Sequence, residues 1–186
     1  IIIVDQNTYS DLAGNGNKKS PSFVWRYDDL APAQIINVTS YTQDGLYGIG
    51  DKIDIIMEFN KLVAVTGSPQ LAMATGSVSG LANAKQSALS FFASFEYTVV
   101  EGHSSIDLDY VSTSALTLNN GSILDANKIE ANLTLPELSS KNALSTQKNI
   151  VIDGIPPIAI SQINFKPLDG QIELELPAKS ASDVVR

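Results

Sequence analysis

The sequence predicts an all-β protein, an antiparallel β-sandwich with repeated units. Three observations carry this. Apolar and polar residues alternate with a period of two in the main apolar runs of the 186-residue chain, at 53–59, 89–99, 129–135 and 172–176, the signature of strands with one face on a core. Turn-forming residues fall between these runs, at Asp44-Gly45, Gly67-Ser68-Pro69, Gly76, Gly80, Asn119-Asn120-Gly121 and Pro136, and short strands so punctuated argue for a sandwich. Finally, an Asp–Pro phrase occurs twice, as Asp28-Asp29-Leu30-Ala31-Pro32 and as Asp153-Gly154-Ile155-Pro156-Pro157.

Taken in order, Ile1-Ile2-Ile3-Val4 is an apolar run with Asp5 next and no basic flank. It reads as a strand, not a signal peptide. The chain opens on Ile1 and not Met, which predicts excision from a longer protein. Asp11-Leu12-Ala13-Gly14-Asn15 is a turn, and Phe23, Trp25 and Tyr27 share one face of a following strand. A fresh strand begins at Ile35. In the next, Ile53, Ile55, Met57 and Phe59 face one way, Asp54 and Glu58 the other. The Ala, Lys, Gln and Leu content of Leu81–Ala93 admits a short helical turn near Asn83–Ser87. After it, Leu89, Phe91, Ala93, Phe95, Tyr97 and Val99 alternate with Ser90, Phe92, Ser94, Glu96 and Thr98. This predicts a strand over Ala88–Val100 with the first set on the core. Ile129, Ala131, Leu133 and Leu135 repeat the pattern, as do Ile172, Leu174 and Leu176 against Glu173 and Glu175.

The prolines set the predicted boundaries, because proline fixes φ and cannot pair in a central strand. Residues 1–31 are the end of one unit, 32–156 a whole domain, and 157–186 the first strands of another. Neither end is long enough to bury a core alone.

Composition excludes several roles. The chain has no cysteine, so disulfides, thiolate metal sites and cysteine nucleophiles are out. Its net charge of −8 disfavours nucleic acid, whose binding needs clustered Lys and Arg. No run of ~18 apolar residues is present to span a membrane as a helix. The only histidine, His103, lies near Ser104 and Asp107. No Gly-x-Ser-x-Gly elbow supports a nucleophile there. Asp107 with Asp109, and Glu173 with Glu175, are paired carboxylates at strand spacing, more in keeping with charged edges than with a glycosidase pair. No catalytic constellation is expected.

The order Tyr47-Gly48-Ile49-Gly50-Asp51-Lys52-Ile53-Asp54-Ile55, then Phe59 and Val65-Thr66-Gly67-Ser68-Pro69-Gln70-Leu71, resembles the opening of bacterial Ig-like repeats of large secreted adhesins. Phe95–Tyr110 and Ala115–Ala126 are similar to the same repeat, and residues 5–32 to the end of a related one. Two features depart from that pattern. The Asp-x-Ala-Gly-Asn phrase is intact at Asp11–Asn15 but reads Asp125-Ala126-Asn127-Lys128 in the central copy, and Ser77–Ser87 lacks a Gly/Ser hairpin. The resemblance implies an Ig-like antiparallel β-sandwich in a tandem repeat array. It implies an extracellular, cell-surface location and a structural role: an extender segment projecting a distal binding region. Its partners would then be neighbouring repeats, with a cell-surface or glycan ligand outside this segment. The rivals are a subunit of an extracellular filament or surface layer, and a carbohydrate- or protein-binding module using Trp25.

Calcium is the one expected ion. Ca²⁺ takes six to eight oxygen ligands, and Asp28, Asp29 and Asp153 flank the Asp–Pro joints, while Asp11, Asp51 and Asp125 sit in turns. An ion there would stiffen the array, as the resemblance implies. The competing reading is that each aspartate caps its own turn.

Overall fold

The structure is a computed structural model. It describes residues 3–21 and 30–157, and the backbone of 164–168 and 171–175. The chain divides into two compact units, Ile1–Ala31 and Pro32–Arg186.

In the first unit a small hairpin closes through the bridge between Ser10 and Gly16. Asp11 N–H donates to Asn15 C=O and Asn17 N–H to Tyr9 C=O, each at 3.0 Å. The strand of Phe23, Trp25 and Tyr27 lies outside the described residues.

The second unit contains β1 (Ile35–Ser40), β2 (Gly45–Tyr47), β3 (Lys52–Thr66), β4 (Gln70–Met73), β5 (Gly80–Ala84), β6 (Ser87–Thr98), β7 (Ser104–Ser105), β8 (Leu116–Thr117) and β9 (Ser122–Asp125). A four-residue helical turn, α1 (Leu144–Gln147), precedes β10 (Ile150–Asp153), and β11 (Asn164–Leu168) pairs with β12 (Gln171–Glu175). The fold is all-β. The main sheet has the order β1-β3-β6-β5-β4-β8, with β9 added to β3. All of its ladders are antiparallel, and the sheet is curled. A smaller sheet has the order β2-β10-β7; β2 runs parallel to β10 and β7 antiparallel to it.

The period-two pattern makes the core. Ile53, Ile55, Met57 and Phe59 of β3 and Ala93, Phe95 and Tyr97 of β6 are buried, and they join Ile150 and Ile152 of β10 in one cluster. The core is therefore shared by the two sheets. Each fully buried Ile, Met or Phe contributes about 1.5–3 kcal/mol by leaving water. Outward, Lys52 meets Glu96 at 2.7 Å and Lys85 meets Asp54 at 2.6 Å, an exposed network of small energetic weight.

Three expectations from the sequence are corrected. No helical turn forms near Asn83–Ser87: β5 and β6 occupy it, because Ala82 and Ala84 pair with Tyr97 and Phe95. Tertiary ladders outweigh helix propensity here. Leu89 and Phe91, expected on the core, are about half exposed, like Phe92. The β3–β6 ladder shifts register between Glu58 and Val63 and again before Val65, and bulges redirect the side chains that follow. Last, Ile129–Leu135 is not a continuous strand. It makes single bridges, Glu130 to Leu124 and Asn132 to Gln34. The pattern still positions Ala131 and Leu135 in the core.

Candidate functional site

Two features of the structure carry chemistry beyond core packing: the end of the second unit where the chain reaches Pro156-Pro157, and an Asp-closed turn found in both units.

At that end, the start of β3, the end of β6 and the end of β10 converge. Asp51 Oδ2 accepts the Gly48 N–H at 2.8 Å, and Asp51 C=O accepts the Val99 N–H at 2.9 Å. Gly154 is held on both sides: its N–H donates to His103 C=O at 2.7 Å, and its C=O accepts the Gly102 N–H at 2.9 Å. A Cβ at Gly154 would stand 2.4 Å from Val100 O and 2.8 Å from His103 O. Only glycine fits, so this segment of backbone is clamped against the 100–103 loop just before the two prolines. Asp153 Oδ1 accepts the Ile155 N–H at 3.2 Å.

Beneath the clamp lies a buried polar pair. The Tyr97 hydroxyl meets His103 Nδ1 at 2.8 Å, and the rings stack with centroids 5.8 Å apart. Burial pushes the Tyr97 phenol up to about 12. Thr75 Oγ1 accepts the Gly80 N–H at 2.6 Å and donates to Val78 C=O at 2.9 Å. The sequence suggested Ser104 and Asp107 as neighbours of His103; the structure gives it Tyr97 instead. Ser105, not Ser104, bonds Asp107, through the backbone C=O at 3.0 Å. The signal for Tyr97 was present in the sequence. It sits at an inward position of β6, and a buried tyrosine hydroxyl needs a partner. Asp109, also buried, accepts the Ser145 hydroxyl at 2.7 Å and so ties α1 to the 107–110 segment. Asp107 is raised above the usual carboxylate range, first by partial desolvation and then by Asp109 and Asp44 nearby.

The second feature is one turn built twice. Asp11 Oδ1 accepts the N–H groups of Ala13 and Asn15 at 3.0 and 2.9 Å. Asp125 Oδ1 accepts those of Asn127 and Ile129 at 2.8 and 2.9 Å. In both, the N–H three residues on donates back to the aspartate C=O at 3.0 Å, from Gly14 and from Lys128. In both, the fourth position is left-handed, φ +85° at Gly14 and +66° at Lys128. The flanking bridges correspond too, Ser10–Gly16 and Leu124–Glu130. So do the bonds from Asn17 N–H to Tyr9 C=O and from Ala131 N–H to Ile123 C=O. The central copy has lost the glycine but kept the turn.

The candidate calcium ligands are thereby located. Asp51 and Asp153 come to the same end of the second unit, on either side of Gly48. Asp125 lies along the other half of β3, opposite Val63, and Asp11 belongs to the first unit. Asp28 and Asp29 lie outside the described residues. Each of the four described aspartates accepts backbone N–H groups of its own turn. Among the described residues no three acidic or histidine side chains gather as a metal-holding group.

No protein-family model, no curated protein and no solved structure matches this chain.

Proposed function

We propose that this chain is a structural extender segment of a repetitive surface protein: an Ig-like β-sandwich preceded by the end of a second copy of the same fold. One observation carries the reading. The Tyr9–Asn17 hairpin repeats the Ile123–Ala131 hairpin bond for bond, including the left-handed position. Two such hairpins in one chain are what a repeat array contains. The clamped Gly154 and the prolines after it support a mechanical role, because they fix the direction in which the backbone leaves the domain.

The native parent chain tests this. Its mass should far exceed 19.9 kDa, its sequence should carry further Asp–Pro phrases, and surface proteolysis of intact cells should remove it. A native chain of only this mass, protected inside the cell, would sink the proposal. Calcium belongs to the same reading as a stiffener of the joints, with Asp28, Asp29, Asp51 and Asp153 the residues nearest the Asp–Pro phrases. Adding millimolar Ca²⁺ and following the melting temperature decides it: a rise supports an ion, and no rise removes it.

A further inference from the structure

The two hairpins differ on one edge. In the second unit the edge of β9 is covered by β3, with Thr66 opposite Ser122, Val65 opposite Ile123 and Ala64 opposite Leu124. Ile123 is 1% exposed. The equivalent positions in the first unit are Thr8, Tyr9 and Ser10. Tyr9 and Asp11 turn backbone groups into the hairpin, toward Asn17 and Asn15, so Ser10, bridged to Gly16 between them, points its own outward; Thr8 lies in the bend before it, its hydroxyl donating to Asp5 C=O at 2.6 Å. Among the described residues nothing hydrogen-bonds the backbone N–H or C=O of Thr8 or Ser10. Tyr9, in the place of Ile123, is 66% exposed, and Ile3 and Val4 are exposed as well.

We infer that the Thr8–Ser10 edge is a strand-acceptor site whose partner is an extended, antiparallel segment of the β3 type. That partner alternates apolar and small polar residues as Leu62-Val63-Ala64-Val65-Thr66 does. The proposal rests on the repeat reading above, and the partner's chemistry is read from what covers the same edge in the second unit. Pairing would satisfy the outward N–H and C=O groups and seat an apolar side chain beside Tyr9, as Val65 sits beside Ile123. Strand addition to an exposed edge is a general recognition mode, with main-chain bonds giving affinity and alternate side chains giving specificity.

The test is amide hydrogen exchange of the full chain by NMR, with a synthetic peptide of residues 61–68 as probe. Millimolar peptide should slow exchange of the Ser10 amide by about tenfold or more and shift Thr8–Asp11 resonances, while a scrambled peptide does neither. Ser10→Pro, which removes the outward N–H, should abolish the effect. The Ala13 and Asn15 amides report whether its hairpin still folds, and if it does not, Tyr9→Asp should weaken the effect without altering the turn. No protection of Ser10, or equal protection by the scrambled peptide, overturns the inference. Protection that grows with concentration of the chain alone assigns the edge to a second copy and also overturns it. Failure here leaves the array reading to be judged by the mass and flanking sequence of the parent chain, so the two stand or fall separately.

Discussion

The Asp11 and Asp125 turns share their hydrogen bonds and differ in nearly everything around them. Asp11 is exposed, whereas Asp125 is 3% exposed. Asp11 also takes a bond from its neighbour's side chain, Asn15 Nδ2 to Oδ2 at 3.1 Å. The left-handed residue is glycine in one and lysine in the other. The comparison teaches that the turn is specified by the aspartate and by the bonds it accepts. Glycine eases the backbone but is not required. Lysine in the left-handed region carries a steric strain of about 1–2 kcal/mol, which the paired neighbours of Asp125 hold in place.

The largest expected contrast comes from removing each aspartate. Asp125→Ala strips the Asn127 and Ile129 N–H groups of a charged acceptor next to a buried strand. Bonds to charged groups are worth about 1.5–3 kcal/mol. Denaturant titration should show the second unit destabilised by roughly 2–3 kcal/mol, whereas Asp11→Ala should leave its unfolding unchanged. Equal effects from the two variants would break the comparison.

Lys128→Gly should raise stability by about 0.5–1 kcal/mol, since relief of strain exceeds the added entropy of the unfolded chain. A loss instead would mean that the lysine side chain matters more than its φ. Grafting the first turn onto the second, as Ala126→Leu, Asn127→Ala and Lys128→Gly together, should keep the second unit folded. Its melting temperature should stay within a few degrees of the parent. Collapse of the fold would show that the surroundings, not the turn, select the sequence.

The smallest effect concerns pH. Asp11 is held below the usual aspartate range, first by the Asn15 side chain and then by backbone N–H groups, against a small desolvation that raises it. A depressed folded value means that the ionised carboxylate favours the turn. Its contribution is present above the unfolded aspartate value and is lost as pH falls through the lower folded one. NMR titration should therefore find the Asp11 midpoint below that of an unstructured aspartate, and Asn15→Ala should move it upward. No movement would remove Asn15 from the turn's design.

Much of the fold is legible because burial and strand periodicity are one fact. Ile53, Ile55, Met57, Phe59, Phe95 and Tyr97 alternate in sequence and point inward in space. Turn chemistry is legible for the same local reason: Asp11–Asn15 and Asn119-Asn120-Gly121 carry residues that accept left-handed backbone, and Asn119 and Asn120 adopt it at φ +43° and +61°. The candidate site was legible only in pieces. Gly154 was visible as part of the Asp–Pro phrase, but not the clamp on it. His103 was visible as a lone histidine, but not its pairing with Tyr97.

By itself, then, the sequence determined the strand class, the inward face of the long strands and the residues able to close a tight turn, because each depends on neighbours within a few positions. Only the tertiary structure decided the rest. A register shift in the β3–β6 ladder left Leu89 and Phe91 at the surface. Loops distant in sequence came to leave no room for a Cβ at Gly154. Long-range contacts supply each of these energies, and no local pattern encodes them.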